Sequence, residues 1–187
     1  YIRKEPLRQL LNRFIKRMFD VVCSLLFLCT LFPFIYLIVG IITKATSPGP
    51  VFFKQKRNGL NGKEFYCYKF RSMYLDAEER KAALAAENRV SDGMMFKLDF
   101  DPRIIGSRRL PDGTIKKGLG NKIRDWSIDE FPQFWNVLKG DMSLVGPRPE
   151  VRKYVDLYTA EQRRVLAVRP GITDYASIVY MDENRLL

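Results

Sequence analysis

The sequence predicts an α+β chain that is mostly helical. An N-terminal membrane helix broken at Pro33, re-entrant or spanning, precedes a small globular domain with a short β-hairpin and amphipathic interfacial helices. Three observations lead there. The run VVCSLLFLCTLFPFIYLIVGII, Val21 to Ile42, carries no charge. Aromatic-rich segments flank NGLNG, Asn58 to Gly62. Apolar residues recur at helical spacing before and after these features. The division is a membrane part, residues 1–45, and a globular part, residues 46–187.

At 187 residues the chain can bury one sizeable core. Its 32 Lys+Arg against 21 Asp+Glu suit anionic partners such as phosphorylated substrates, acidic lipid surfaces or nucleic acid. There is no histidine, which removes the usual general base near neutral pH and the commonest metal ligand. Acid–base or nucleophilic chemistry must fall on carboxylates, Lys, Tyr, Ser, Thr or Cys. Cys23, Cys29 and Cys67 lack metal-ligand spacing and read as small buried hydrophobes in a reducing compartment.

The first element is amphipathic. In LRQLLNRFIKRMFD, Leu7, Leu10, Leu11, Phe14 and Met18 alternate with Arg and Lys at helical spacing, as in an interfacial helix. Asp20 ends it and could pair with Lys16, Arg17 or an Arg of the globular part. The apolar run follows. As a helix it measures about 33 Å, close to a bilayer's hydrocarbon core. It exceeds a signal-peptide core and no cleavage site follows, so it should be retained. Pro33 sits mid-run and removes a backbone hydrogen bond. Basic residues flank both ends: Arg3, Lys4, Arg8, Arg13, Lys16 and Arg17 before, Lys44, Lys54, Lys56 and Arg57 after. The positive-inside bias therefore points both ends to the cytoplasm. A re-entrant helix–break–helix satisfies both facts, and a kinked span remains open. Ser24 and Thr30 could bond to carbonyls freed near the break.

VFFKQKRNGLNGKEFYCYKFRSM reads as two strands around a hairpin turn. It carries Lys54, Arg57, Lys69 and Arg71, which are either charged strand edges or anion ligands. YLDAEERKAALAAENRV is helical by propensity. Residues 91–120 read as irregular, with a small hairpin at Pro111-Asp112-Gly113. Phe131, Phe134, Trp135 and Leu138 define one apolar helix face, stopped by Gly140. DMSLVGPRPE is a short strand and a stiff loop. VRKYVDLYTAEQRRVLAV is helical, with a Thr159–Gln162 capping box starting a second helix, and RPGIT is a turn.

Asp129-Glu130 is the candidate reactive pair. Ser127-Ile-Asp-Glu130 matches a capping box, a purely structural role. Pro132 argues for a start at Asp129, because a proline is harmless only in the first helical turn. That register puts the Asp129 carboxylate at a helix mouth, where an ionised acid and phosphate are both favoured. Capping and catalysis stay open on these grounds. The GPRP loop tips the balance: Pro147 and Pro149 restrict the backbone around Arg148, whose guanidinium suits a phosphate. Arg124 could serve the same anion. Two adjacent carboxylates suit Mg²⁺.

The pieces FIKRMFDVV, SPGPVFFKQKRNGLNGKEFYCYKFRSM, SIDEFPQFWNVLKGDMSLVGPRPE and VRPGIT, in this order from Phe14 to Thr173, resemble the bacterial sugar transferases. These are monotopic phosphoglycosyl transferases, and the likeness is to the small polyprenyl-phosphate sugar-1-phosphate transferase type. The resemblance implies transfer of a sugar 1-phosphate from a UDP-sugar to undecaprenyl phosphate. UMP would be released at the cytoplasmic face of the bacterial inner membrane, starting glycoconjugate or exopolysaccharide synthesis. It implies Asp129 as nucleophile forming an aspartyl-phosphosugar, Glu130 and Asp129 as Mg²⁺ ligands, and Arg148 on phosphate. Arg124 would contact a lipid phosphate or head group, and Arg57, Lys69 and Arg71 are further candidates for substrate phosphate. It also implies the re-entrant form of the apolar run. Partners would be the two substrates and membrane lipids, not nucleic acid; homo-oligomerisation and the identity of the sugar stay open.

The chain departs from the family pattern in four places. Phe32 precedes the break proline where Ser is common. SRRLPDGTIKKGLG, Ser107 to Gly120, looks like an insertion. DYASI replaces Gly-Trp-Ala-Gln after RPGIT. The chain stops at Leu187, where members continue into further helices, so a non-catalytic membrane scaffold truncated from such an enzyme is the alternative function. A membrane-tethered nucleic-acid-binding module is a second rival; its binding would fall steeply with salt and ignore Asp129.

Overall fold

The computed structural model describes residues 9–85 and 98–175. Arg3, Lys4, Leu7, Arg8, the last five residues of the helix expected over 74–90, and the end of the chain after Tyr175 lie outside the described residues. The elements are α1 (Leu10–Thr30), α2 (Phe32–Thr46), β1 (Phe52–Asn58), β2 (Glu64–Phe70), α3 (Ala77–Ala83), β3 (Arg108–Arg109) and β4 (Ile115–Lys116). Then come α4 (Leu119–Asp125), α5 (Gln133–Lys139), β5 (Ser143–Val145), α6 (Arg152–Val155) and β6 (Gly171–Thr173). Helix with three small two-stranded sheets is the expected α+β composition.

The amphipathic segment and the first half of the apolar run form one continuous helix, α1. It ends at Thr30 with Leu31 as its C-cap, and Pro33 lies in the first turn of α2, where its missing N–H does no harm. Among the described residues no single helix is long and apolar enough to cross a membrane; α1 and α2 together are, but they bend by 54° at the break. Thr30 Oγ1 donates to the Leu26 carbonyl at 2.6 Å, one turn back inside α1, and not to a carbonyl freed at the break. The Ser24 hydroxyl is buried with no hydrogen-bond partner among the described residues. Cys67 is buried as expected, whereas Cys29 is exposed.

Contacts divide the chain into two compact units. The first comprises residues 1–33, 55–67 and 133–187, the second residues 34–54 and 68–132.

In the first unit, α1 packs on α5 and β5. Phe27 stacks on Phe134 with ring centroids 4.1 Å apart. Arg17 donates to the carbonyls of Val137 and Leu138 at 2.7 and 3.0 Å, satisfying the open end of α5. Gly140 terminates that helix at φ 89°, a conformation that favours glycine. Asp20 is only 3% exposed. It accepts from Ser143 Oγ at 2.8 Å and Leu144 N at 3.2 Å, and Lys16 lies 3.4 Å away. Lys16 is thus one of the expected partners, but the globular partner is β5 rather than an arginine.

Val137, Met142 and Cys67 form the core here, with Phe65, Leu144 and Ile172 around them. The buried positions of α5 are Gln133, Asn136 and Val137, not the expected aromatic stripe; Trp135 is 53% exposed. Asn136 explains the rotation: its side-chain amide donates to the Tyr66 carbonyl at 2.7 Å and so must face inward.

RPGIT is not merely a turn. Gly171–Thr173 is a strand parallel to β5, with Ser143 opposite Gly171 and Val145 opposite Thr173. The approach is so close that a Cβ on Gly146 or Gly171 would strike backbone of the other strand. The Thr159–Gln162 capping box forms, with both reciprocal hydrogen bonds, but it opens a 3₁₀ segment (Gln162–Ala167), and α6 is a single turn.

In the second unit, Tyr36 of α2 stacks on Phe52, which stacks on Phe70. Arg71 pins the chain leaving α2: its Nη atoms reach Ser47 Oγ, Ser47 O and Pro48 O at 2.9, 2.6 and 3.1 Å. Ile105 and Phe70 are fully packed. The Asp112-Gly113 hairpin forms as expected, pairing β3 with β4. The NGLNG turn, in the first unit, is also formed, with Asn61 and Gly62 at φ 56° and 73°.

Candidate active site

Asp129 and Glu130 lie in the second unit, in a 3₁₀ turn, Ile128–Glu130. Backbone hydrogen bonds form the turn: Glu130 N donates to Ser127 O at 3.1 Å and Phe131 N to Ile128 O at 3.1 Å. Ser127 adopts a left-handed φ of 54° and its side chain makes no cap. Neither register read from the sequence is realised. Ser127 forms no capping box, and Asp129 is not the N-cap of α5, which begins at Gln133. Pro132 immediately precedes that helix, where it cannot break it. The 3₁₀ turn sets the two acids on consecutive residues of a tight coil.

Lys69, near the end of β2, reaches both. Its Nζ is 2.6 Å from Glu130 Oε1 and 3.7 Å from Asp129 Oδ2. The three side chains are mostly buried, with 22%, 19% and 13% exposure for Lys69, Glu130 and Asp129. Burial pushes the Asp129 carboxyl above the usual carboxylate range; Lys69 opposes this, Glu130 adds to it and Arg124 opposes it. Arg124 lies on α4 and is itself exposed. Lys69, Arg124, Asp129 and Glu130 are therefore assembled in one unit. The sequence offered Lys69 only as one of four hairpin cations; its contact with the acidic pair required a pairing across 61 residues.

Arg71 is placed differently. It is buried, its Nη atoms are committed to Ser47 and Pro48, and burial depresses its pKa. A phosphate-binding role gains no support from that position. Arg57 and Arg148 belong to the first unit. Arg57 donates to the Pro149 carbonyl at 3.1 Å and lies 3.7 Å from Glu150, bracing the GPRP loop. Arg148 is exposed and lines a shallow cleft with Asn58, Pro147, Glu150, Tyr158 and Leu166. Burial and the Glu150 carboxylate raise the Tyr158 pKa.

The acidic pair has the donor set for Mg²⁺. Among the described residues no cluster of three acidic, cysteine or histidine side chains exists. Two adjacent hard-oxygen donors fit an ion that keeps waters and takes its remaining ligands from phosphate oxygens.

A family profile described as bacterial sugar transferase matches residues 11–186. The galactosyl transferase CpsE of Streptococcus agalactiae is 49% identical over 125 residues, which is 67% of this chain and 25% of that protein. The undecaprenyl-phosphate galactose phosphotransferase of Salmonella typhimurium is 37% identical over 91% of this chain and 36% of its own length. The sugar transferase EpsL of Bacillus subtilis is 40% identical over 88% of this chain and 68% of its own. The chain belongs to the bacterial sugar transferase family. It spans a quarter to about a third of the length of the first two relatives.

Proposed function

We propose that the chain is a membrane phosphoglycosyl transferase. It moves a sugar 1-phosphate from a UDP-sugar to undecaprenyl phosphate and releases UMP. The observation that carries the proposal is the Asp129–Glu130 pair held in a tight turn against Lys69. Relatives named as undecaprenyl-phosphate galactose and glucose phosphotransferases support the reaction class.

An Asp129 carboxylate oxygen attacks the β-phosphorus of the UDP-sugar. The bond from that phosphorus to the bridging oxygen breaks, and UMP leaves with that oxygen. The sugar phosphate is then an acyl phosphate on Asp129. A phosphate oxygen of the lipid attacks the same phosphorus, forms the diphospho-sugar and returns the carboxylate. This is a two-step displacement with ping-pong kinetics. Lys69 holds the two acids together and favours the ionised form of Asp129, the form that attacks. Asp129 and Glu130 would hold Mg²⁺, which when bound offsets the charge of the diphosphate. Arg124, in the same unit as the acidic pair, supplies a guanidinium group for phosphate; for Arg148 the support is the family likeness of the GPRP loop alone.

The remaining assignments complete the proposal. The α1–α2 pair forms a re-entrant membrane segment, residues 1–45 are the membrane part, and residues 46–187 the catalytic part at the cytoplasmic face. The test is UMP release from UDP-sugars with a polyprenyl phosphate acceptor. Asp129→Asn is expected to abolish it; near-normal turnover in that variant would remove the nucleophile from the account. Screening a panel of UDP-sugars in the same assay identifies the sugar.

A further inference from the structure

The β3–β4 hairpin, the segment Ser107 to Gly120, has no part in the chemistry above. It holds Arg108, Arg109, Lys116 and Lys117 against one acid, Asp112. Every residue from Arg108 to Lys117 is exposed. The register places Arg108 directly opposite Lys116. Like charges directly opposed across a strand pair are destabilising. Among the described residues neither has an acidic partner, whereas Lys117 pairs with Asp125 at 2.7 Å and Arg109 lies over the Phe100 ring. The hairpin thus keeps a repulsive pair that no acid among the described residues relieves and that an external anion would relieve. Exposed apolar side chains accompany these cations: Leu110, Ile115 and, directly after α4, Trp126 at 78% exposure.

Position selects the anion's source. Arg71 bonds to Ser47, the residue following α2. Ser72 O, next to Arg71, accepts from Ile105 N, and Ile105 O accepts from Gly120 N, in the first turn of α4. Short hydrogen bonds therefore connect the end of α2 to the start of α4. The hairpin enters α4 and Trp126 leaves it, and the helix is only about 10 Å long. Both lie close to where the apolar helix ends. Tryptophan and cations interleaved with apolar side chains suit the headgroup layer of a bilayer. A two-fold contact between copies would instead set these cations against each other.

We infer that the β3–β4 hairpin and Trp126 form a second membrane contact that binds anionic phospholipid headgroups. This inference rests on the reading of α1–α2 as a membrane segment, and not on the reaction assigned to Asp129.

The full chain carrying Trp135→Phe keeps Trp126 as its sole tryptophan. It is reconstituted into phosphatidylcholine vesicles with and without phosphatidylglycerol, each with a quencher-labelled lipid at headgroup depth. Trp126 emission is expected to shift to the blue and be quenched in the anionic vesicles. Arg108→Glu with Lys116→Glu is expected to return both readings to the neutral-vesicle level, and the milder Arg108→Gln with Lys116→Gln to lower them in part. Equal quenching with and without phosphatidylglycerol, or no response to either double variant, would overturn the inference. So would quenching that follows the protein-to-lipid ratio, which assigns the surface to a second copy. Flotation of all variants with neutral vesicles reads the membrane segment alone. Flotation retained with the quenching lost rejects the hairpin contact only; flotation lost throughout rejects the membrane reading with it.

Discussion

Replacing Asp20 tests how α1 is fastened to β5. The carboxylate is buried and accepts from Ser143 Oγ and Leu144 N, with Lys16 at 3.4 Å. Hydrogen bonds to a charged group contribute about 1.5–3 kcal/mol each. Lys16 is 34% exposed and can turn to water, so the ion pair itself adds little. Asp20→Ala removes two such bonds and leaves the Leu144 N–H without its acceptor, but it also relieves the desolvation of the carboxylate. The net loss is about 3–4 kcal/mol. For a chain of this size that lowers Tm by about 6–16 °C. Asp20→Asn keeps an acceptor and loses the charge, so its loss is about 1–2 kcal/mol. Thermal melting of the detergent-solubilised chain, followed by tryptophan fluorescence, should rank wild type above Asn above Ala. An Ala variant melting within about 2 °C of wild type would refute the view that this carboxylate fastens the helix.

Three further outcomes follow from the same geometry. Because burial raises the Asp129 pKa in the folded state, its favourable contribution is fully present below the ordinary carboxylate value and is lost as pH rises through the raised one. Asp129→Asn should therefore melt above wild type at neutral pH in metal-free buffer, with the gap closing as pH falls below about 4; a variant less stable at neutral pH contradicts that sign. Gly120→Ala should lower stability by about 2–4 kcal/mol, since a Cβ there would strike Ser72 O and lie 2.6 Å from Ile104 Cγ2; an unshifted denaturation midpoint would show that the backbone at Ser72 can yield. EDTA should stop UMP release and Mg²⁺ restore it, and release undiminished after exhaustive chelation would remove the ion from the account.

Local signals were legible in the sequence. Gly59, Asn61 and Gly62 announced the β1–β2 turn, Pro33 the break between α1 and α2, Gly140 the end of α5, and Thr159 with Gln162 a cap. Each acts within a few residues of itself. What depended on distant partners was not legible. The β5–β6 pairing joins segments 28 residues apart, and Gly171 looked like turn chemistry although its role is close strand approach. The most buried face of α5 follows Asn136, whose partner is the Tyr66 carbonyl, so a hydrophobic-period reading found only the half-buried side on which Phe134 meets Phe27. In the candidate site, the acidic pair and Arg124 were readable from sequence. Lys69 and Arg71 looked alike as hairpin cations, and only packing separates them: one reaches Asp129 and Glu130, the other is buried against Ser47. The 3₁₀ turn at Ile128–Glu130 escaped because both cap registers assumed that the α-helix begins with the acids.

The central claim is that Asp129 carries the sugar phosphate. The direct measurement is intact-protein mass spectrometry of the chain quenched after incubation with a UDP-sugar and Mg²⁺ in the absence of lipid acceptor. The account predicts an added sugar phosphate on the wild type, discharged on adding undecaprenyl phosphate and absent from Asp129→Asn. No adduct with any accepted UDP-sugar, or an adduct that survives in Asp129→Asn, would contradict it.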